Sequence, residues 1–155
     1  MSAAADLRAA AEAGRALSGL EYFAAMAQGK FPPPPIMALM GISAVEFAEG
    51  RAVFSAVPGE QHYNPIGVVH GGLALTLLDS AMGCAVHTTL PAGAGYTTLE
   101  VKVNFVRALH ADEGPVRADG TVVHRGGRVA TAEGRVVREA DDKLVAHGTT
   151  TCLLL

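Results

Sequence analysis

The chain has 155 residues, half of them apolar and only 17% charged, with no Trp and a formal net charge of −3. That length suits one domain with a substantial core, and the negative balance argues against nucleic acid as a bulk electrostatic partner. So apolar a composition in so short a chain implies that the protomer hides further surface in an oligomer.

Residues 4–28 are Ala-rich, with Leu7, Ala10, Gly14, Leu17 and Leu20 at helical steps, which predicts one or two amphipathic helices. Asp6, Arg8, Glu12 and Arg15 precede any long apolar run, so the segment does not read as a secretory signal. Phe31 and the prolines at 32–35 end it as a stiff extended spacer. Residues 1–35 are thus expected to be an N-terminal extension and 36–155 the main domain. Residues 42–47 and 51–57 flank Ala48-Glu49-Gly50 as a hairpin. A polar, turn-rich loop over 58–69 follows.

Residues 71–90 carry one charged side chain, Asp79, among Leu73, Leu75, Leu77, Leu78, Met82 and Val86. A segment apolar on every side reads as a helix enclosed by the core. A carboxylate there needs a partner or a job. The run approaches a membrane-spanning length, but Asp79 at its middle and the interspersed Gly, Ser and Thr make it a core helix, with no membrane partner. From residue 96 the pattern changes to period two. Leu99, Val101, Val103 and Phe105 alternate with Thr98, Glu100, Lys102 and Asn104, which predicts a half-exposed strand over 96–106 with those four polar residues on one face. Residues 116–125, 128–139 and 143–153 read as three more strands, turning at Gly126-Gly127 and Asp141-Asp142, and the four are expected to form a meander. One apolar helix between strands buries its surface if a sheet wraps it. The expected class is therefore α+β, an antiparallel sheet curled around one long central helix.

The helix begins at His70-Gly71-Gly72, after Asn64-Pro65-Ile66-Gly67-Val68-Val69. Free N–H groups at a helix start carry partial positive charge and can stabilise an oxyanion, and glycines let a ligand approach the backbone. Asn64 can add an amide donor or position water, and His70 can order the loop through its ring nitrogens. The same glycines would equally permit tight packing under a strand. Asp79 lies seven to eight residues beyond them, about 10–12 Å along the helix axis. One carbonyl group cannot touch both, so if both serve one carbon the acid comes from a second copy, and the site belongs to a dimer. Thr97 or Thr98, near the start of the strand, could hold a water or orient Asp79. Arg107, Arg125 and Arg128 fall at strand ends and a turn, where guanidinium groups could meet phosphates or simply face solvent. The six histidines show no metal-ligand spacing, so no metal is expected. Cys84 and Cys152 read as buried thiols of a protein in a reducing compartment, placing it in the cytoplasm.

Asn64–Val69, His70-Gly71-Gly72, Asp79 and the strand Thr97-Thr98-Leu99-Glu100-Val101-Lys102-Val103-Asn104-Phe105 together resemble the hotdog-fold acyl-CoA thioesterases, in particular the PaaI-type, phenylacetate-pathway branch. The resemblance covers residues 36–153. It implies a helix wrapped by an antiparallel sheet, a homodimer with a continuous sheet that often becomes a homotetramer, and hydrolysis of an acyl-CoA thioester without a cofactor. It implies Asp79 as nucleophile or general base, Gly71 as backbone donor, Asn64 as the loop amide and Thr98 as the residue that helps position water. It also implies an acid and a donor from different subunits. His70 and Gly72, with Arg107, Arg125 and Arg128, are the expected substrate-binding positions. The Ala-rich extension departs from the pattern.

Two other readings stand beside this one. A hotdog hydratase or dehydratase would need a His paired with an acid for proton shuttling. A non-catalytic acyl-CoA binder would keep the helix start and have no need of Asp79. The acyl group itself is not legible; Ala74, Met82 and the methionines at 37 and 40 are the pocket candidates, flexible enough for varied substrates.

Overall fold

The computed structural model describes residues 3–155. Two helices open the chain, α1 (Ala3–Gly14) and α2 (Gly19–Ala27). Ser18 caps α2 in a reciprocal capping box with Glu21, which satisfies donors the first turn leaves free. The extended spacer stops one residue short of expectation. Pro35 opens a short helix, α3 (Pro35–Met40), because proline at the first helical position lacks only an N–H that would be unpaired anyway.

The strands are β1 (Ile42–Ala48) and β2 (Arg51–Ala56), then, after helix α4 (Gly71–His87), β3 (Tyr96–Phe105), β4 (Val116–Arg125), β5 (Val129–Arg138) and β6 (Leu144–Leu154). They form one six-stranded sheet in the order β1-β2-β4-β5-β6-β3, with every pairing antiparallel. The expected four-strand meander is therefore corrected. Only β4, β5 and β6 run as a meander, while β3 crosses to the far edge and β4 returns to pair with β2. Periodicity identifies a strand but not its neighbour.

Helix α4 lies in the concave side of this sheet. Apart from Gly83, its buried residues fall in pairs four apart: Leu73 and Ala74, Leu77 and Leu78, Ala81 and Met82, Ala85 and Val86. The sheet makes room for them with a row of glycines. Gly120, Gly134 and Gly148 are direct cross-strand partners on β4, β5 and β6. A Cβ on Gly120 would overlap the Ala81 backbone, and one on Gly134 would lie 2.9 Å from Met82 Cγ and 3.0 Å from Leu78 Cδ2. Larger side chains there would push the helix out of its trough. Ala74 and Met82, read as pocket candidates, belong to this packed core instead.

The sheet does not close over the whole helix. Leu75 is 40% exposed and Asp79 is exposed one turn further on. The expectation of a fully enclosed Asp79 is corrected accordingly. In the single chain the acid lies on an uncovered stripe of α4, and that exposure removes the desolvation cost a buried carboxylate would carry.

Candidate active site

The loop before α4 is zipped onto itself. Asn64 N–H donates to Val68 O at 2.8 Å, Gly67 N–H to Asn64 O at 3.1 Å and His70 N–H to His62 O at 2.7 Å. The Asn64 side-chain oxygen accepts from the N–H groups of Ile66 (3.1 Å) and Val68 (3.3 Å). Its carbonyl end is thus consumed by the loop, and its NH₂ end has no partner among the described residues. Asn64 is a fixed amide donor.

His70 is the N-cap of α4, and its Nδ1 accepts from Gly72 N–H at 2.8 Å. An accepting Nδ1 leaves the proton of the neutral ring on Nε2. Leu73 N–H donates to His70 O at 3.1 Å. The two glycines therefore differ. Gly72 has its N–H occupied, whereas Gly71 N–H has no acceptor among the described residues and remains the open donor at the positive end of the helix. The Phe105 ring lies over Gly71 so closely that a Cβ would sit 2.8 Å from its Cε1. A side chain at this position would have to displace the ring.

Thr98 Oγ1 donates to Asp79 Oδ1 at 2.9 Å. This contact depends on a feature that a strict period of two hides. A β-bulge between Thr98 and Glu100 shifts the register of β3 against β6, so that Thr98 faces Cys152 and Val101 faces Thr150. Cys152 and Thr150 both point into the core. The extra residue brings Thr98 onto the inner side with Val101 and Val103. The expected polar face containing Thr98, Glu100, Lys102 and Asn104 is thereby corrected, as Thr98 leaves it and turns to the acid. One Asp79 oxygen is held by the hydroxyl, and the other has no partner among the described residues.

Around this pair the two thiols and the Tyr96 phenol are kept neutral. Burial pushes the Cys84 thiol up to about 12, with the Asp79 carboxylate adding to the effect and a Tyr96 hydrogen bond opposing it. Burial likewise holds the Tyr96 phenol well above its ordinary value and raises the Cys152 thiol. Neither thiol is a nucleophile at neutral pH. Tyr96 escaped the reading of the sequence. Its ring fits against Gly83, where a Cβ would lie 2.9 Å from the hydroxyl oxygen, and a lone glycine inside an apolar helix is the signal that points to it. Among the described residues no three His, Cys, Asp or Glu side chains converge as a metal site, and no helix is long and apolar enough to cross a membrane.

Gly71 and Asp79 stand eight residues apart on one helix, about 12 Å along its axis. Strand β3 runs beside α4 in the opposite sense, with Phe105 against Gly71 and Thr98 against Asp79. The arginines divide the same way. Arg107 N–H donates to Val145 O just beyond Phe105, at the Gly71 end. Arg128 O accepts from Leu154 N–H, and Leu154 pairs with Tyr96, which places Arg125 and Arg128 at the Asp79 end. All three are exposed. One protomer does not bring the three together.

The sequence profile described as Thioesterase superfamily matches residues 66–145, just over half of the chain. The chain belongs to the thioesterase superfamily. This thioesterase has the hotdog fold, a six-stranded antiparallel sheet around a central helix, and its solved neighbours are PaaI-like. It is similar to the phenylacetic acid degradation-related protein of Ralstonia eutropha, with 30% identity, a TM-score of 0.77, and coverage of 85% of this chain and 98% of that one. It is similar to the phenylacetic acid degradation protein PaaI of Thermus thermophilus, solved as a mutant, with 32% identity, a TM-score of 0.69, and coverage of 77% and 98%. Among curated sequences it is similar to human acyl-coenzyme A thioesterase 13, 28% identical over 110 residues that span 71% of this chain and 77% of that one. The thioesterase thus has residues beyond the length it shares with these relatives.

Proposed function

We propose that this thioesterase hydrolyses aromatic or medium-chain acyl-CoA to the free acid and CoA, at composite sites of a homodimer. The observation that carries this reading is the Asp79–Thr98 pair on the uncovered stripe of α4, with the open Gly71 N–H on the same helix. The relatives support the substrate class, since one is named an acyl-coenzyme A thioesterase and two are named for phenylacetic acid degradation.

The thioester carbonyl oxygen accepts from Gly71 N–H and the Asn64 amide of one subunit. As the carbonyl carbon becomes tetrahedral, the charge developing on that oxygen is met by donors already in place. Asp79 of the other subunit drives the attack. Either it takes a proton from a water that adds to the carbon, or its free oxygen attacks and water then cleaves the acyl-enzyme anhydride. Thr98 fixes the carboxylate in both cases. Collapse of the adduct breaks the C–S bond and expels the CoA sulfur as thiolate, which takes up the proton Asp79 accepted from the water or, on the anhydride route, a proton from solvent water. His70 orients the helix start, and the site uses no metal or organic cofactor. Two features support the pairing. Strand β3 is at the edge of the sheet, with one side of its backbone unpaired among the described residues, and it displays Leu99 and Phe105, 57% and 59% exposed. Joining two such edges about a two-fold axis would continue the sheet and cover the open stripe of α4. Pairs of such dimers would give the homotetramer. Residues 36–155 are the catalytic domain, and the free thiols Cys84 and Cys152 suit the cytoplasm.

Thiol release from a panel of acyl-CoA thioesters tests the activity. Stoichiometric thiol and free acid are expected. Tight acyl-CoA binding without thiol release would make the chain a binder, and loss of an enoyl chromophore without thiol release would make it a hydratase.

In the two-fold arrangement Arg107 of one subunit and Arg125 and Arg128 of the other flank one site and meet the CoA phosphates. Alanine at any of the three is expected to raise KM for acyl-CoA about three- to tenfold, the scale of one exposed charge-assisted contact. The effect on kcat should be smaller, and a short thioester lacking the nucleotide should be insensitive. Equal losses on both substrates would contradict phosphate binding.

A further inference from the structure

The helices before the prolines are built onto the core. Gly19 N–H donates to Leu90 O at 3.0 Å, and Gly93 N–H donates to Arg15 O at 2.7 Å. Gly19 lies so near the end of α4 that a Cβ there would overlap the His87 carbonyl. Aromatic rings continue across the junction. Phe23 stacks on Phe47 with centroids 4.0 Å apart and meets the His87 ring at 5.1 Å. Tyr22 stacks on Phe31 at 5.2 Å and lies 5.5 Å from His87, which is 5.5 Å from Tyr96.

These contacts border a half-open cavity of about 360 Å³, walled by Ala11, Tyr22 and Met26 on one side and floored by Ser80, Cys84 and His87 of α4 on the other. The three floor residues fall at i, i+4 and i+7, one stripe of a helix. Neither Asp79 nor Thr98 lines the cavity, but Cys84 and Tyr96, which do, lie close enough to the Asp79 carboxylate for its charge to raise both of their pKa values. The cavity thus runs from the neighbourhood of the Asp79–Thr98 pair to α1. Burial lowers the His87 pKa and raises those of Cys84 and Tyr96, so these groups are uncharged at neutral pH. Among the described residues of the lining, Arg15 is the one charged side chain. The volume lies within the range of small-molecule sites, about 300–1,000 Å³.

We propose that α1 and α2 form the far wall of the acyl pocket and set the size of the acyl group this chain accepts. An uncharged, apolar acyl chain or ring passes along Ser80 and Cys84 and ends against Ala11, Tyr22 and Met26. The proposal rests on the acyl-CoA reading of the Asp79 site. It gives the extension a role in specificity, while the chemistry stays on α4 and β3.

The test uses the full chain and non-hydrolysable S-alkyl-CoA thioethers from ethyl to octyl, with affinities measured by calorimetry. Ala11 is exposed on α1, so Ala11→Trp inserts a ring into the cavity without disturbing the core. It is expected to lower the octyl-to-ethyl affinity ratio at least tenfold. Tyr22→Ala widens the cavity and is expected to move the ratio the other way. Uniform weakening across the series is the signature of a merely structural role, and a ratio unmoved by both substitutions overturns the proposal. Nothing is hydrolysed in this experiment, so it is independent of turnover. Failure to release thiol from any acyl-CoA would remove the proposed activity while leaving the pocket result standing.

Discussion

Asp79→Asn is expected to lower kcat for acyl-CoA hydrolysis by about 10²–10⁴-fold, the usual range for removing a general base, and by more if the carboxylate is itself the nucleophile. The substitution is nearly isosteric. Asn can accept the Thr98 hydroxyl through its side-chain oxygen as Asp79 does at 2.9 Å. Because Asp79 is exposed in the protomer, loss of its charge strands no buried partner. Melting temperature and oligomeric state should therefore stay near those of the parent, with KM changed much less than kcat. Steady-state thiol release at saturating substrate measures the effect. Hydrolysis within a fewfold of the parent would move the chemistry to another residue.

Gly71→Pro is expected to cost about 10²–10³ in kcat, the loss typical of one oxyanion donor. The first helical position tolerates proline, and no intrahelical bond uses that N–H. His70 already has an extended backbone, φ −61° and ψ 135°, as a residue before proline should. The substitution thus deletes the donor and leaves the helix, with one steric demand: the Phe105 ring must swing away from the new Cβ. Circular dichroism confirms the helix, and thiol release reports the loss. Full activity in a folded Gly71→Pro protein would exclude this N–H as the donor.

Much of this site was legible because it departs from its surroundings. Asp79 is the one charge in a long apolar run, and Gly71-Gly72 follows a polar loop where a helix must start. The period-two pattern located β3 to within a residue. What it concealed was the bulge at Leu99, since one inserted residue reverses which side chains face the core without altering composition. The Thr98–Asp79 contact exists because of that reversal. The exposure of Asp79 was hidden for a related reason. Leu75 has the hydropathy of a core residue yet sits on a stripe that its own sheet leaves open. Strand order was illegible because it depends on pairing between distant segments. A trace of it is nevertheless present: Gly120, Gly134 and Gly148 recur at equal intervals, each inside a strand, and they lie side by side under α4.

The composite site is the central claim, and mixed dimers test it most directly. Asp79→Asn and Gly71→Pro chains carrying different affinity tags are co-expressed, and the heterodimer is purified through both. One of its sites pairs an intact Gly71 with an intact Asp79 from the other chain, and the second site carries both defects. Each parent homodimer should be nearly inactive, and the heterodimer should recover up to about half of the activity of the unmodified protein. A verified heterodimer that stays as inactive as both parents would contradict the two-subunit site.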